Sequence, residues 1–265
     1  MTLPRPAQAA ARLFEAHERR LRFEALPAEL APTTPHEAYL IQDEFVALRA
    51  ETLGGISGYK IALSSEAMRR FVGVDEPQAG CMLSRTIHRG PWTARAADYV
   101  NLIVEFEIAV ALADDLPAAD APFSRERVAQ SVGSVMAAIE LADDRNADYS
   151  ALARHPLELI ADNAWNEGAV LGPPLESWRE IDLAAVRGVA RINGKTVGEG
   201  RGAEAMGHPF DAVAWVAGNL ASRGRGMLRG DVVISGSVVT SKPARAGDLI
   251  QWTVDGLGEA SLRVE

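Results

Sequence analysis

One cysteine in 265 residues, Cys81, rules out an internal disulfide and any thiolate-rich zinc site. Its setting, "AGCML", offers no neighbouring cation to lower the thiol's pKa, so Cys81 reads as a packing residue. Long apolar runs are missing as well. Charge interrupts each one before the roughly 18 residues that a membrane span needs, and the opening "MTLPRPAQAAARLFEAHERR" lacks the basic start and apolar core of a signal peptide. No membrane contact and a cytoplasmic location are therefore expected. Positive charge is scarce too. With 27 basic against 36 acidic residues and a net charge of -9, the chain lacks the basic surface from which nucleic-acid binding draws its affinity. A small-molecule partner fits better. Only Lys60, Lys195 and Lys242 are lysines, so each can be weighed singly.

What remains is an ordinary globular composition, 48% hydrophobic and 24% charged, long enough for one substantial core. Residues from about 5 to 50 read as helices, with Ala38, Ile41, Phe45 and Leu48 spaced three to four apart and Pro35 suited to a first helical turn. The glycines of "ETLGGISGYKIAL" end that run, and Tyr59 to Leu63 read as a short strand. From about residue 100, strand signals dominate: "NLIVEFEIAVAL", then a Ser124-capped helix over roughly 125 to 135, then the apolar "VMAAIELAD". Asn193-Gly194 marks a hairpin, "GHPFDAVAWVAGNLASRGRG" a helix closed by Gly224, and Asp255-Gly256 a turn between two last strands. The expected architecture is α+β, with a mainly helical cap over residues 1–90 and a β-rich domain over 91–265.

Strand alternation puts Glu105 and Glu107 of "LIVEFEIAVAL" on one face, with Val104, Phe106 and Ile108 on the other. Two carboxylates on a half-buried face repel one another and resist desolvation. A third acid, Glu140 of "AAIELADDR", stands in a similar apolar setting. Convergence of the three would make a hard-oxygen site for Mg²⁺ or Mn²⁺. The competing reading is a solvated strand face.

The ordered set "GYKIALSSEAMRRFVGVDEP", "VEFEIAVAL", "AAIELADDR", "IADNA", "GHPFDAVAWVAGNLA" and "SGSVV" resembles the 2-keto-4-pentenoate hydratase and 4-oxalocrotonate decarboxylase group of the fumarylacetoacetate hydrolase superfamily, from about Pro35 to the C-terminus. The resemblance implies a fumarylacetoacetase-like C-terminal β-fold, with Mg²⁺ or Mn²⁺ held by Glu105, Glu107 and Glu140 and a lysine, Lys60, at the mouth of the site. It implies a lyase hydrating a 2-hydroxy-2,4-dienoate from aromatic-compound breakdown through a metal-stabilised enolate. Decarboxylation of a 4-oxalocrotonate-type acid, hydrolysis of an acylpyruvate, and a catalytically reduced binding or partner subunit are the alternatives. A homo-oligomer is expected by the same resemblance, and so is association with a pathway decarboxylase or aldolase.

Further site candidates follow from the resemblance. Ser64 lies where relatives carry a threonine-serine-lysine run that here reads Ser64, Ser65, Glu66. Arg145 and Asp143 match an E-x-x-D-x-R run in which the guanidinium braces an acid behind the metal. Asn163 is placed to donate a hydrogen bond into the pocket, with Asp162 as a cap or structural acid. His208, before Pro209, reads as a helix cap, and His17, His36, His88 and His155 as surface residues. Departures from the family pattern are Gln78, where relatives carry an acid linked to proton transfer, Trp165 in place of a small serine, and Lys242, a second cation for a dicarboxylate.

Overall fold

The computed structural model describes residues 3–265. Its helices and strands in chain order begin with α1 (Arg5–Glu18), α2 (Pro35–Leu53), β1 (Ile56–Ala62), α3 (Glu66–Val72), β2 (Gln78–Leu83), β3 (Ile87–Arg89) and β4 (Trp92–Ala94). The centre holds β5 (Leu102–Leu112), α4 (Arg125–Ser131), β6 (Val132–Asp143), α5 (Tyr149–Leu152), α6 (Pro156–Ala161) and β7 (Asn166–Leu171). The last part runs β8 (Arg187–Ile192), β9 (Lys195–Arg201), α7 (Pro209–Ala221), β10 (Val232–Ile234), β11 (Lys242–Pro243), β12 (Leu249–Val254) and β13 (Gly258–Val264). No helix among the described residues is long and apolar enough to cross a membrane.

Local chemistry accounts for most of these elements. Thr34 caps α2 by accepting from the Glu37 N–H, with Pro35 in the first turn, and Ser124 caps α4 by accepting from the Arg127 N–H. His208 caps α7 through Nδ1, which accepts from the Phe210 N–H at 3.0 Å. The expected helix over 125–135 stops at Ser131, because Val132 opens a twelve-residue strand whose pairing with β5 holds it more firmly than helical propensity would. At the β8–β9 hairpin Asn193 and Gly194 both take positive φ, as a type I′ turn requires.

The larger sheet runs β2-β1-β10-β5-β6-β7-β3, with β11 paired to β5; the smaller runs β4-β13-β12-β8-β9. Strands β1, β2 and β3 all precede residue 91 yet belong to the larger sheet, so the chain shows no structural break at residue 90. In that region α1 and α2, packed on each other, and the short α3 stand outside the sheets. One face of the larger sheet buries Val104, Phe106, Ile108, Ile139 and Leu141 in the main core. There Trp252 of β12 crosses from the smaller sheet to lie 5.5 Å from the Phe106 ring, and its Nε1 donates to the Glu107 carbonyl at 2.8 Å. The close approach depends on Gly188, where an added Cβ would lie 2.0 Å from the Trp252 ring. The opposite face carries a smaller apolar cluster that includes Ala109, Met136, Ala138 and Ile234, and the acids stand beside it.

Candidate metal centre

Alternation along β5 sends Glu105 and Glu107 to the face away from the main core, and the β5–β6 register sets Glu105 directly opposite Glu140. Each of the three acids presents a carboxylate oxygen within 4.8 Å of the others. Glu107 and Glu140 are wholly buried, whereas Glu105 is half-buried. Desolvation first, and the charge of Glu140 next, push Glu105 up to about 7 despite Lys60. The same two causes, with Glu105 added, hold Glu107 well above the usual carboxylate range.

One cation stands among these acids. Lys60, on the neighbouring face of β1, is 3% exposed, and its Nζ lies 3.1 Å from Glu140 Oε1. Burial favours the neutral amine, but Glu140, Glu105 and Glu107 outweigh it and raise the lysine's pKa, so Lys60 remains an ammonium. Two neutral donors complete the first set of contacts: Asn166 Nδ2 donates to Glu140 Oε1 at 2.9 Å, and the Gly236 N–H to Glu107 Oε2 at 2.7 Å. Gly236 sits at φ +94°, and a Cβ there would come within 2.5 Å of Ser64 Oγ. Glycine is needed to bring that N–H to the acid.

The remaining buried oxygens, Glu107 Oε1 and Glu140 Oε2, have no hydrogen-bond partner. Leaving such atoms dry and unpaired is costly. Together with Glu105 they form the all-oxygen set that a hard divalent cation takes, so the residues present fit a metal.

A cavity of about 380 Å³ opens over the cluster. Lys60, Glu105, Ser64 and Ser237 line one part, and Asp144, Tyr149 and Trp165 another. The Tyr149 hydroxyl donates to Asp144 Oδ2 at 3.0 Å. Trp165 meets the rings of Phe23 and Tyr149 edge-on, at 5.6 and 5.8 Å. It belongs to a turn, 163–165, in which three successive non-glycine residues take φ of 52°, 50° and 58°, a conformation that costs roughly 1–2 kcal/mol per residue.

Two expected site residues are used elsewhere. Asn163 does not donate into the cavity: its Oδ1 accepts from the Cys81 N–H at 2.7 Å and its Nδ2 donates to the Cys81 carbonyl at 2.9 Å, clamping the strained turn to β2. Arg145 braces no metal-site acid. Its guanidinium pairs with Asp162 and lies 5.5 Å from the Phe23 ring, and it lines a different cavity, beneath α1. Asp143 organises its own loop by accepting from the N–H groups of Val100, Asn101 and Arg145. Gln78 and Lys242 are likewise absent from the cavity walls: Gln78 is buried and donates to the Pro156 carbonyl, and Lys242 pairs with Val104 along β5. Cys81 is buried, and desolvation pushes its thiol up to about 12. Asn166 is not singled out by sequence, and Gly236 enters there only within the "SGSVV" segment, with no role of its own. Asn166 follows the "ADNAW" run as a polar residue opening an apolar strand, which is the one local signal it carries.

His17 is no surface residue. Its Nε2 lies 2.6 Å from Asp162 Oδ1 and its Nδ1 3.2 Å from Glu167 Oε1, and Arg49 Nη1 donates to Glu167 at 2.8 Å. Burial alone would depress this histidine, but Asp162 and Glu167 push it up to about 8. Burial would raise both acids, yet Arg145 and His17 hold Asp162 below its usual range, and Arg49 and His17 hold Glu167 down to about 2. The seam fastens α1 and α2 to the sheet domain. Replacing Asp162 by asparagine takes the carboxylate partner from the buried Arg145 and one of two from His17, and is expected to cost about 3–5 kcal/mol. Urea denaturation checks this, and a loss under 1 kcal/mol would refute the role.

The family model "Fumarylacetoacetate (FAA) hydrolase C-terminal" matches residues 72–265. The chain belongs to the fumarylacetoacetate hydrolase family. Among curated members of that family, the 2-keto-4-pentenoate hydratase of Burkholderia vietnamiensis (strain G4 / LMG 22486) is 31% identical over 83% of this chain and 82% of its own. The 2-oxo-hept-4-ene-1,7-dioate hydratase of Escherichia coli is 28% identical over 96% of each. A solved structure of 4-oxalocrotonate decarboxylase from Pseudomonas putida G7, complexed with magnesium and adipate, superposes with a TM-score of 0.90 at 26% identity, covering 100% of this chain and 99% of that one.

Proposed function

We propose that this fumarylacetoacetate hydrolase family member is a divalent-metal-dependent hydro-lyase adding water to a 2-hydroxy-2,4-dienoate to give a 4-hydroxy-2-oxo acid. The observation that carries the reading is the pair of unpartnered oxygens on Glu107 and Glu140, facing Glu105 beside one buried ammonium under an open cavity. Glu105, Glu107 and Glu140 would hold the metal, with Mg²⁺ and Mn²⁺ equally suited to the donor set. When bound, such a cation supplies Lewis acidity that draws electrons from a 2-oxo group and stabilises developing enolate charge.

The chain's own residues supply the rest. Lys60 Nζ, held as an ammonium, neutralises a substrate carboxylate and donates hydrogen bonds to it. Beside the metal-free acids it is held protonated, which suits it to donate. Ser64 Oγ, on the cavity wall beside Gly236, can relay a proton by donating and accepting at one atom. Trp165 and the apolar wall exclude water from one side of the cavity.

The test is loss of the dienoate absorbance in purified protein stripped of metal and resupplied with Mg²⁺ or Mn²⁺, with the product identified. Metal-dependent formation of the 4-hydroxy-2-oxo acid supports hydration. Release of CO₂ would favour the second reading, decarboxylation, for which the 0.90 TM-score to the decarboxylase speaks. Self-association, and docking to a pathway decarboxylase or aldolase, rest on the family resemblance alone and are tested by light scattering of the chain with and without the partner.

A further inference from the structure

The cavity has two kinds of wall. Leu63, Leu152, Leu159, Ala164 and Trp165 line it and also belong to one contiguous apolar cluster. Apart from Lys60, its side chains that carry charge near neutral pH are carboxylates: Glu105 of the acid cluster, Asp144 and Glu204. Among the described residues lining the cavity, Lys60 is the one cation, and the acids beside it already claim its charge. Asp144 is 4% exposed and fully engaged, accepting from Asn101 Nδ2, the Asn146 N–H and the Tyr149 hydroxyl. Its charge is therefore fixed in the wall. Glu204 is exposed at the rim.

Resting on the 2-oxo-acid reading above, we propose that the site selects substrates with a single carboxylate, which the metal and Lys60 take, and a neutral hydrocarbon tail, which the Leu152, Leu159 and Trp165 wall takes. A second carboxylate at the far end would enter desolvated, with acids and hydrocarbon around it and no cation to pair with, which disfavours it strongly. The apolar wall rewards an alkyl tail by ordinary burial. The specificity is therefore against dicarboxylates as much as for alkyl monoacids.

Calorimetric titration of the Mg²⁺-loaded protein with two six-carbon ligands, 2-oxohexanoate and 2-oxoadipate, tests this without turnover. The expected result is binding of 2-oxohexanoate at least about 30-fold tighter. Reversing the charge of an exposed rim residue, Glu204→Lys, is expected to improve 2-oxoadipate about tenfold relative to 2-oxohexanoate. Equal or tighter binding of 2-oxoadipate by the parent overturns the inference while leaving the 2-oxo-acid reading intact, and its loss in Lys242→Met would then identify the missing cation. A ratio unmoved by Glu204→Lys overturns the role given to the wall charges. Binding of neither ligand removes the 2-oxo-acid reading itself and the inference with it.

Discussion

Glu107→Gln is expected to abolish metal-dependent turnover and at the same time stabilise the metal-free protein. Loss of one of three ligands removes several kcal/mol of charge stabilisation, on the order of 10³-fold in rate. At alkaline pH, where Glu107 ionises, the same change takes a charge out of a buried, mutually repelling trio, while the amide still accepts from the Gly236 N–H that Glu107 Oε2 accepts from now. Its new N–H can donate to a neighbouring acid. Metal titration, steady-state kinetics and thermal denaturation of the metal-free protein check the three parts. A metal-free variant less stable than the parent would mean that the acids do not repel one another.

The pH dependence of the metal-free parent tests the same idea. Folded Glu105 keeps its proton up to about 7, whereas an unfolded glutamate loses it near 4.5. The folded state then binds more protons, so stability falls as pH rises between those values and levels off above. His17, raised to about 8, extends the decline, because the stability it contributes is present below 6.5 and lost as pH rises through 8. Saturating metal should flatten the glutamate part and leave the histidine part, and Asp162→Asn should diminish the latter, with Glu167 still beside the ring.

Lys60→Met is expected to have the opposite sign on stability. It leaves the three acids with no cation and should cost the metal-free protein about 3 kcal/mol at pH 8. At pH 5.5 the loss should be smaller, because protonated acids need no counter-charge. Added metal should restore much of the stability but not the activity, which should stay down about 10²–10³-fold because the substrate loses its ammonium partner. Denaturation at both pH values, with and without metal, together with kcat/KM, separates these effects. A variant as stable as the parent at pH 8 without metal would sink the account of Lys60.

Much of this was legible in the sequence for identifiable reasons. Glu105 and Glu107 share a face because strand periodicity leaves no choice, and Pro35, Ser124, His208 and Asn193-Gly194 carry local signals that hold in any context. What sequence could not supply is distance between remote segments. Arg145 and Asn163 are offered as site residues by the family pattern, but loop geometry turns one toward Asp162 and the other toward the Cys81 backbone. His17 lies in a helix whose exposed face is charged, and nothing local announces that Asp162 and Glu167, some 150 residues on, close over it. Gly236 reads as one more loop glycine until its N–H is seen on Glu107. Residue 90 looked like a boundary because helices precede it; the pairing of β1 with β10 erases that boundary, since the partner strand comes near the end of the chain.

That late partner bears on how the protein is made. Lys60 reaches the acids only through β10, because β1 does not pair with β5 directly. While the chain emerges from the ribosome, β5 and β6 can already form their hairpin and set Glu105 against Glu140. Lys60 and the Gly236 N–H cannot arrive until Val232–Ile234 has been synthesised and inserted between the strands, a non-local closure of the slow kind. Each new molecule thus passes through an interval in which Asn166 is the one partner the three acids can have, with the lysine and the Gly236 N–H still to be placed. The counter-charge of the acid cluster and one of its two neutral donors are therefore the last of its parts to be set in place.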